Sequence, residues 1–293
     1  IPGPSYLEIP RDIVLGKVDE SEVRYPQRYR TEAMVYGDPE YVAKMVDILK
    51  TTERPMVLAG SDIWWSGASE ELREFVEMIG SPVFLNAMGR GSIPAGHPNL
   101  GNLGRRYGLV KSDTVILIGT PIDFRLGYGA ESMFPQNPKL IEIMMDPGKI
   151  GMNRDVDVGL VGDSKAILGQ VMDELRKTGY KSPGNAWVEE VMTEDHALKA
   201  ADRPLLNSDQ TPIHPMRVMK ELGDFLEPDA TVIGDGGDFV TFAARALGIN
   251  KAGHWLDPGA FGCLGAGSGF AMAAQLARPG KQVVIIYGDG AFG

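Results

Sequence analysis

Asp289 stands between Gly288 and Gly290 at the end of an apolar run, with Ala291 next in line. A carboxylate at the mouth of a strand is a hard oxygen ligand, and flanking glycines let the backbone approach a ligand closely. Mg2+ takes one or two carboxylates and completes its octahedron with water and phosphate oxygens. Two more glycine-rich loops precede this one, at residues 234–238 and 259–269. Two of the three follow predicted strands, and in open α/β sheets ligands bind at that C-terminal edge. A helix N-terminus after such a loop favours an anion. Three loops on one edge therefore point to a diphosphate or nucleotide-like ligand, with Asp289 as the metal ligand. The plainer reading of Asp289 is a turn, since Asp-Gly also closes hairpins.

Other chemistry-bearing residues are less patterned. Gly-Asp-Gly-Gly-Asp at 234–238 resembles the start of a calcium loop but lacks the later ligands and the closing Glu. Gly-Ala-Gly-Ser-Gly at 265–269 lacks the preceding strand and the acidic ribose ligand of a dinucleotide fingerprint. Cys263 has no visible base partner and reads as a small packing residue. His97, His196, His214 and His254 are scattered, without ligand spacing. Trp64 and Trp65 fit core or subunit packing better than a ligand platform. Arg105, Arg106 and Arg125 either meet the phosphates of a second ligand or stand solvated and salt-bridged.

These loops need a framework, and the chain supplies one. Its 293 residues suggest about two domains at roughly 150 residues each. Apolar runs at 54–60, 82–88, 113–120, 139–146 and 156–163 read as buried strands. Between and after them, Val42, Met45, Val46 and Leu49, then Leu72, Phe75, Val76 and Ile79, then Ile167, Leu168, Val171 and Leu175, recur at helical spacing. Strands alternating with helices imply a parallel, doubly wound sheet. A second α/β unit starts with a helix near His214, then a strand ending at 234–238, a helix over 239–247 and a short strand at 254–257. A helix over 270–276 and a strand over 282–287 complete it. The fold class is α/β with two doubly wound parallel-sheet domains. Residues 5–9 read as a lone short strand.

The net charge of −10 argues against a nucleic-acid or anionic-membrane binder. Cys263 is the single cysteine, so no internal disulfide forms, and no stretch reaches the roughly 18 apolar residues of a spanning helix. A cytoplasmic location is expected.

The stretch LDPGAFGCLGAGSGFAMAAQLARPGKQVVIIYGDGAFG, residues 256–293, resembles the thiamine-diphosphate-binding region of the acetolactate synthase large-subunit superfamily. Oxalyl-CoA decarboxylase and 2-hydroxyacyl-CoA lyase are similar over the same residues. The resemblance covers essentially the whole chain. It implies the end of a pyrimidine-binding domain at 1–14, a linker at 15–37, the family's middle domain at 38–178, a linker at 179–206 and a truncated thiamine-diphosphate domain at 207–293. GTPIDFRLGYG, residues 119–129, stands where acetolactate synthases have a Gly-Ala-Arg-Phe-Asp-Asp-Arg segment.

Residue by residue, the resemblance implies Asp289 as the first side-chain ligand of Mg2+. It places Gly288, Gly290 and Ala291 along the diphosphate, approached from the neighbouring loop by Gly237, Asp238 and Phe239. Leu264 stands where acetolactate synthases have a Met that holds the cofactor bent, and the Gly262 carbonyl receives the 4′-amino group. Of the two arginines in the middle-domain segment one is Pro121 here and Arg125 remains, so FAD, ADP or an empty site are the implied alternatives. The Gln-His-Gln-Met-Trp run of acetolactate synthase is absent; this chain reads Asp238-Phe239-Val240-Thr241-Phe242.

The activity implied is C–C bond making or breaking next to a carbonyl. Carboligation of 2-keto acids comes first and acyl-CoA cleavage or decarboxylation second, in a homodimer or homotetramer. A non-catalytic flavin- or ADP-binding module is the reading from another class. The chain starts at Ile1 and stops inside the third loop, which reads as a piece of a longer protein. The activating Glu and the Asn that completes the Mg2+ site are expected outside it, and the piece alone is expected to show no turnover.

Overall fold

Every side chain of β1 (Pro55–Ala59) is buried, as a parallel strand covered on both faces requires. The computed structural model describes residues 6–293, and β1 lies at the centre of its larger sheet. That sheet has six parallel strands in the order β3-β2-β1-β4-β5-β6. The partners of β1 are β2 (Val83–Leu85), β3 (Leu100–Gly101), β4 (Thr114–Ile118), β5 (Lys139–Met144) and β6 (Val158–Val161). Strand order reverses between β1 and β4, the arrangement of a doubly wound dinucleotide-type sheet.

Ahead of β6 lie helices α1 (Arg11–Val14), α2 (Pro39–Leu49), α3 (Ser61–Ser66), α4 (Ser69–Ile79) and α5 (Arg105–Lys111). After it come α6 (Ser164–Lys177) and α7 (Ala186–Ala201). Helix α2 starts where Asp38 accepts a hydrogen bond from the Glu40 amide at 2.8 Å, with Pro39 in the first turn. Asp163 caps α6 in the same way through the Ala166 amide at 3.0 Å. Alternation along β1 splits its side chains. Val57 and Ala59 join Met45, Phe75 and Val171 under α2, α4 and α6, whereas Met56 and Leu58 face Leu109, Trp187 and Val191.

The second of these clusters shows what the sequence reading left out. Residues 186–201, read as an interdomain connection, form α7 and cover the second face of the sheet. Trp187 Nε1 donates to the Pro55 carbonyl at 2.8 Å, fastening the helix to the first strand. The strand expected at 5–9 is also corrected. Ser5 lies outside the described residues, residues 6–9 form no strand, and Arg11–Val14 is helical. No partner strand among the described residues offers residues 6–9 a ladder.

The smaller sheet is parallel with the order β8-β7-β9: β7 (Thr231–Asp235), β8 (Trp255–Leu256) and β9 (Val283–Tyr287). Its helices are α8 (Arg203–Leu206), α9 (Pro215–Phe225), α10 (Gly237–Ala246), α11 (Gly267–Ala277) and α12 (Asp289–Phe292). Met219, Val232, Ala243, Trp255 and Ile286 form its core. The two domains meet at the C-terminal end of α10. Asn102 Nδ2 donates to the carbonyls of Ala244 and Arg245 at 3.1 and 3.0 Å, and Arg245 pairs with Asp202 at 2.6 Å. Asp195 on α7 holds the Asn102 loop, accepting from the amides of Asn102, Leu103 and Gly104 at 2.7, 2.6 and 2.8 Å. No helix among the described residues is long and apolar enough to cross a membrane.

Candidate cofactor site

All three glycine-rich loops leave the C-terminal ends of neighbouring parallel strands, including the 259–269 loop, which follows β8. One residue ties them together. Asp235, the buried last residue of β7, takes the Gly288 amide on its backbone carbonyl at 3.0 Å. Its carboxylate accepts the Gly265 amide at 3.1 Å and the Gly267 amide at 2.6 Å. Sequence reasoning missed Asp235 because it weighed the first Asp of Gly-Asp-Gly-Gly-Asp only as a calcium ligand. The usable signal was the glycine on either side of it, which lets two backbones close in on a buried carboxylate.

The glycines make the space. Gly236 and Gly237 have φ of 82° and 71°, backbone geometry that L side chains rarely adopt. A Cβ on Gly236 would stand 2.5 Å from Leu264 Cδ2 and 3.1 Å from Ala291 Cβ. One on Gly288 would stand 2.9 Å from the Gly236 carbonyl oxygen, and one on Gly237 would lie 3.5 Å from the Gly288 Cα. Gly236, Gly237, Leu264, Gly288 and Ala291 are therefore one constellation. Leu264 Cδ1 lies 3.9 Å from where a Cβ on Gly290 would be.

Gly262 is left-handed at φ 58° in open space, and Leu264 is 57% exposed, so an apolar side chain projects over the glycine cradle. Asp238 and Phe239 occupy the exposed first turn of α10, and Asp289 is the exposed first residue of α12. Among the described residues no group of three or more His, Cys, Asp or Glu side chains could hold a metal ion. A glycine cradle beside one free carboxylate suits Mg2+ on a diphosphate, where phosphate oxygens supply much of the octahedron. It does not suit an ion that needs an all-protein cage.

Arg125 lies elsewhere, in the first domain. Its guanidinium is engaged by Asp123, with Nη2 2.6 Å from a carboxylate oxygen. Arg105 donates to Asn86 Oδ1 at 3.0 Å and to the Arg125 carbonyl at 3.3 Å; burial and then the nearby Arg125 charge push its pKa down. Arg106 donates to the Ser132 carbonyl at 3.3 Å. The salt-bridged reading describes Arg125 as it stands.

The histidines are dispersed. His97 meets Glu77 at 2.9 Å, and His214 Nδ1 caps α9 through the Met216 amide at 3.1 Å. Burial lowers the pKa of His254. Cys263 is exposed, and Trp64 packs against Gly253 across the domain interface.

Fold and site together define a two-domain α/β protein. A doubly wound sheet precedes a parallel sheet that presents three glycine loops and a free carboxylate. Residues 42–171 match the model of the thiamine pyrophosphate enzyme central domain, and residues 235–293 that of the C-terminal TPP binding domain. The chain belongs to the thiamine pyrophosphate enzymes.

It is 40% identical over 247 residues to the acetolactate synthase large subunit IlvG of Mycobacterium tuberculosis, covering 84% of this chain and 44% of that protein. It is 31% identical over 314 residues to a probable acetolactate synthase large subunit of Methanococcus aeolicus (99% and 52%). To 2-hydroxyacyl-CoA lyase 2 of Bos taurus it is 35% identical over 264 residues (88% and 41%). The chain thus spans about half the length of the curated relatives it matches.

Proposed function

We propose that the protein to which this chain belongs is a thiamine-diphosphate- and Mg2+-dependent enzyme that ligates 2-keto acids in the manner of acetolactate synthase. The observation that supports it most is the convergence of three strand-end loops on Asp235, which leaves a cradle of glycines beside Asp289 and beneath Leu264. When bound, thiamine diphosphate supplies a carbanion and an electron sink.

The chain's own residues do the rest. Gly237, Asp238 and Phe239 on one side and Gly288, Gly290 and Ala291 on the other would line the diphosphate with backbone, and Asp289 would ligate the metal. Leu264 would stand against the cofactor as an apolar support that adds no competing hydrogen bond, and the Gly262 carbonyl would accept from its 4′-amino group. In the first domain, FAD, ADP or an empty site are the alternatives near Arg125, whose guanidinium is held by Asp123. The domain limits read from the sequence, and a homodimer or homotetramer in a cytoplasmic setting, belong to the same proposal.

The deciding assay is 2-acetolactate formation from pyruvate by the full-length protein with thiamine diphosphate and Mg2+. Product that disappears on chelation, and in an Asp289→Ala variant that no longer binds the cofactor by calorimetry, supports the reading. A full-length protein that makes no acetolactate but cleaves 2-hydroxyacyl-CoA would replace it with the lyase reading, which the 35% identity to 2-hydroxyacyl-CoA lyase 2 favours. A flavin spectrum with no response to thiamine diphosphate would point instead to a non-catalytic binding module.

A further inference from the structure

A cavity of about 370 Å³ lies between the two domains. Its walls are largely apolar: Ile93 and Leu100 come from the first domain, Leu247 and Ile249 from the second. Three cationic residues are also among its lining, Arg90, Lys199 and Arg245. Two are neutralised on the spot. Arg245 donates twice to Asp202, at 2.6 and 2.7 Å, and Lys199 stands 2.6 Å from the Asp195 carboxylate.

Arg90 has no such counter-ion among the described residues. Its guanidinium donates to the Ala244 carbonyl at 3.3 Å and lies 5.4 Å from the Trp255 ring centre. Burial pushes its pKa down to about 10; the charge of Asp257 opposes this and that of Arg105 adds to it. Asp257 itself is occupied, accepting from Trp255 Nε1 at 2.9 Å and the Gly259 amide at 2.8 Å.

A charge held away from water costs free energy unless it is paired. Here the pairing is incomplete beside open volume, in a chain whose net charge is −10. An apolar cavity of about 300 Å³ or more with one convergent charged group is the usual form of a small-molecule site. The apolar walls disfavour a compact, strongly hydrated anion such as phosphate. The guanidinium fork matches a carboxylate.

We propose that this interdomain cleft binds a small carboxylate with an apolar body, its carboxylate on Arg90 and its chain against Ile93, Leu100, Leu247 and Ile249. The ligand would touch both domains and the last turn of α10, whose first turn belongs to the glycine cradle. Binding there would couple domain closure to the cradle. The proposal uses none of the cradle's residues and stands apart from the thiamine reading.

The test is titration calorimetry of the protein with hexanoate, hexan-1-ol and inorganic phosphate. Hexanoate is expected to bind at one site per chain, and the alcohol and phosphate at least about tenfold more weakly, the worth of a charged hydrogen bond. Arg90→Gln should lose about tenfold in hexanoate affinity. Ile249→Trp, which fills the cavity from the other domain and leaves Arg90 in place, should abolish binding while the circular dichroism spectrum stays that of the parent. Absence of hexanoate binding, equal binding of the alcohol, or an unchanged affinity in both variants would overturn the proposal.

Discussion

The two sheets differ in how completely each is covered. The six-stranded sheet has helices on both faces, and its central strands β1 and β4 are buried throughout. The three-stranded sheet buries β7 fully, yet four of the five residues of its edge strand β9 are only half-buried. Met272 and Leu276 on α11 are 66% and 82% exposed, and Phe292 on α12 is 79% exposed. The first domain therefore draws its stability from its own core. The second couples a rigid strand end, Asp235, to the glycine loops proposed to carry the ligand contacts. Ligand sites sit on loops held by a scaffold, and here one buried carboxylate makes the connection.

That contrast can be broken from either side, and the largest effect is expected in the first core. Phe75→Ala removes a ring that is fully buried between helices and sheet, and should cost about 3–5 kcal/mol in urea unfolding. Leu276→Ser on the open face of α11 should change the same transition by no more than about 0.5 kcal/mol. If the two cost the same, the contrast fails.

Asp235→Ala comes next. It strands the amides of Gly265 and Gly267 and should cost about 2–3 kcal/mol. Hydrogen exchange would show lost protection across residues 264–267 with the six-stranded sheet unaffected. Asn102→Ala removes two hydrogen bonds between the domains and should cost about 1–2 kcal/mol. In scanning calorimetry the two domains should then melt in separate steps; a single unbroken transition would show that Asn102 does not couple them.

The smallest effect is one of pH. Glu142 is fully buried on β5, accepting the Gly151 amide at 2.8 Å through one oxygen while the other has no partner. Burial raises its pKa from the ordinary 4.5, the Gly151 hydrogen bond opposing. With the folded value above the unfolded one, no penalty exists below about pH 4.5, and stability is lost as pH rises through the folded value. Glu142→Gln should flatten that part of the stability–pH curve. Asp195 has the opposite sign. Burial pushes it up, but Lys199 and the loop amides outweigh burial and hold it below the ordinary 3.8. Its stabilisation is present above that value and is lost as pH falls through the folded one. An Asp195→Asn variant that keeps the acid-side loss would refute this assignment.

Legibility followed the local signals. β1 and β4 are nearly continuous apolar runs, β5 is apolar apart from Lys139 and Glu142, and α2 and α4 carry their apolar residues at helical spacing, so strands and helices alike were readable from the chain. β3 has only two residues, and α5 starts among glycine and arginine without a side-chain cap, so neither offered a pattern. Helix α7 falls within the segment read as a linker, because its buried residues Trp187, Val188, Val191 and Met192 lie among enough charged neighbours to pass for one.

By itself the sequence determined the α/β class, the two units, the three glycine loops and the carboxylate at Asp289, because these depend on residue type and short-range spacing. Only the tertiary structure decided that the loop after β8 joins the other two, that Asp235 turns inward to hold them, and that Arg125 is spent on Asp123. It alone placed α7 and Asn102 against α10 and left Arg90 unpaired beside a cavity. Apart from the Arg125–Asp123 pair, which lies only two residues apart in the chain, each of these rests on partners brought together by strand order and domain contact, with separations of 30 residues from Asp235 to Gly265 and 154 from Arg90 to Ala244. Residue type and local spacing carry no record of which distant partner a polar group will meet.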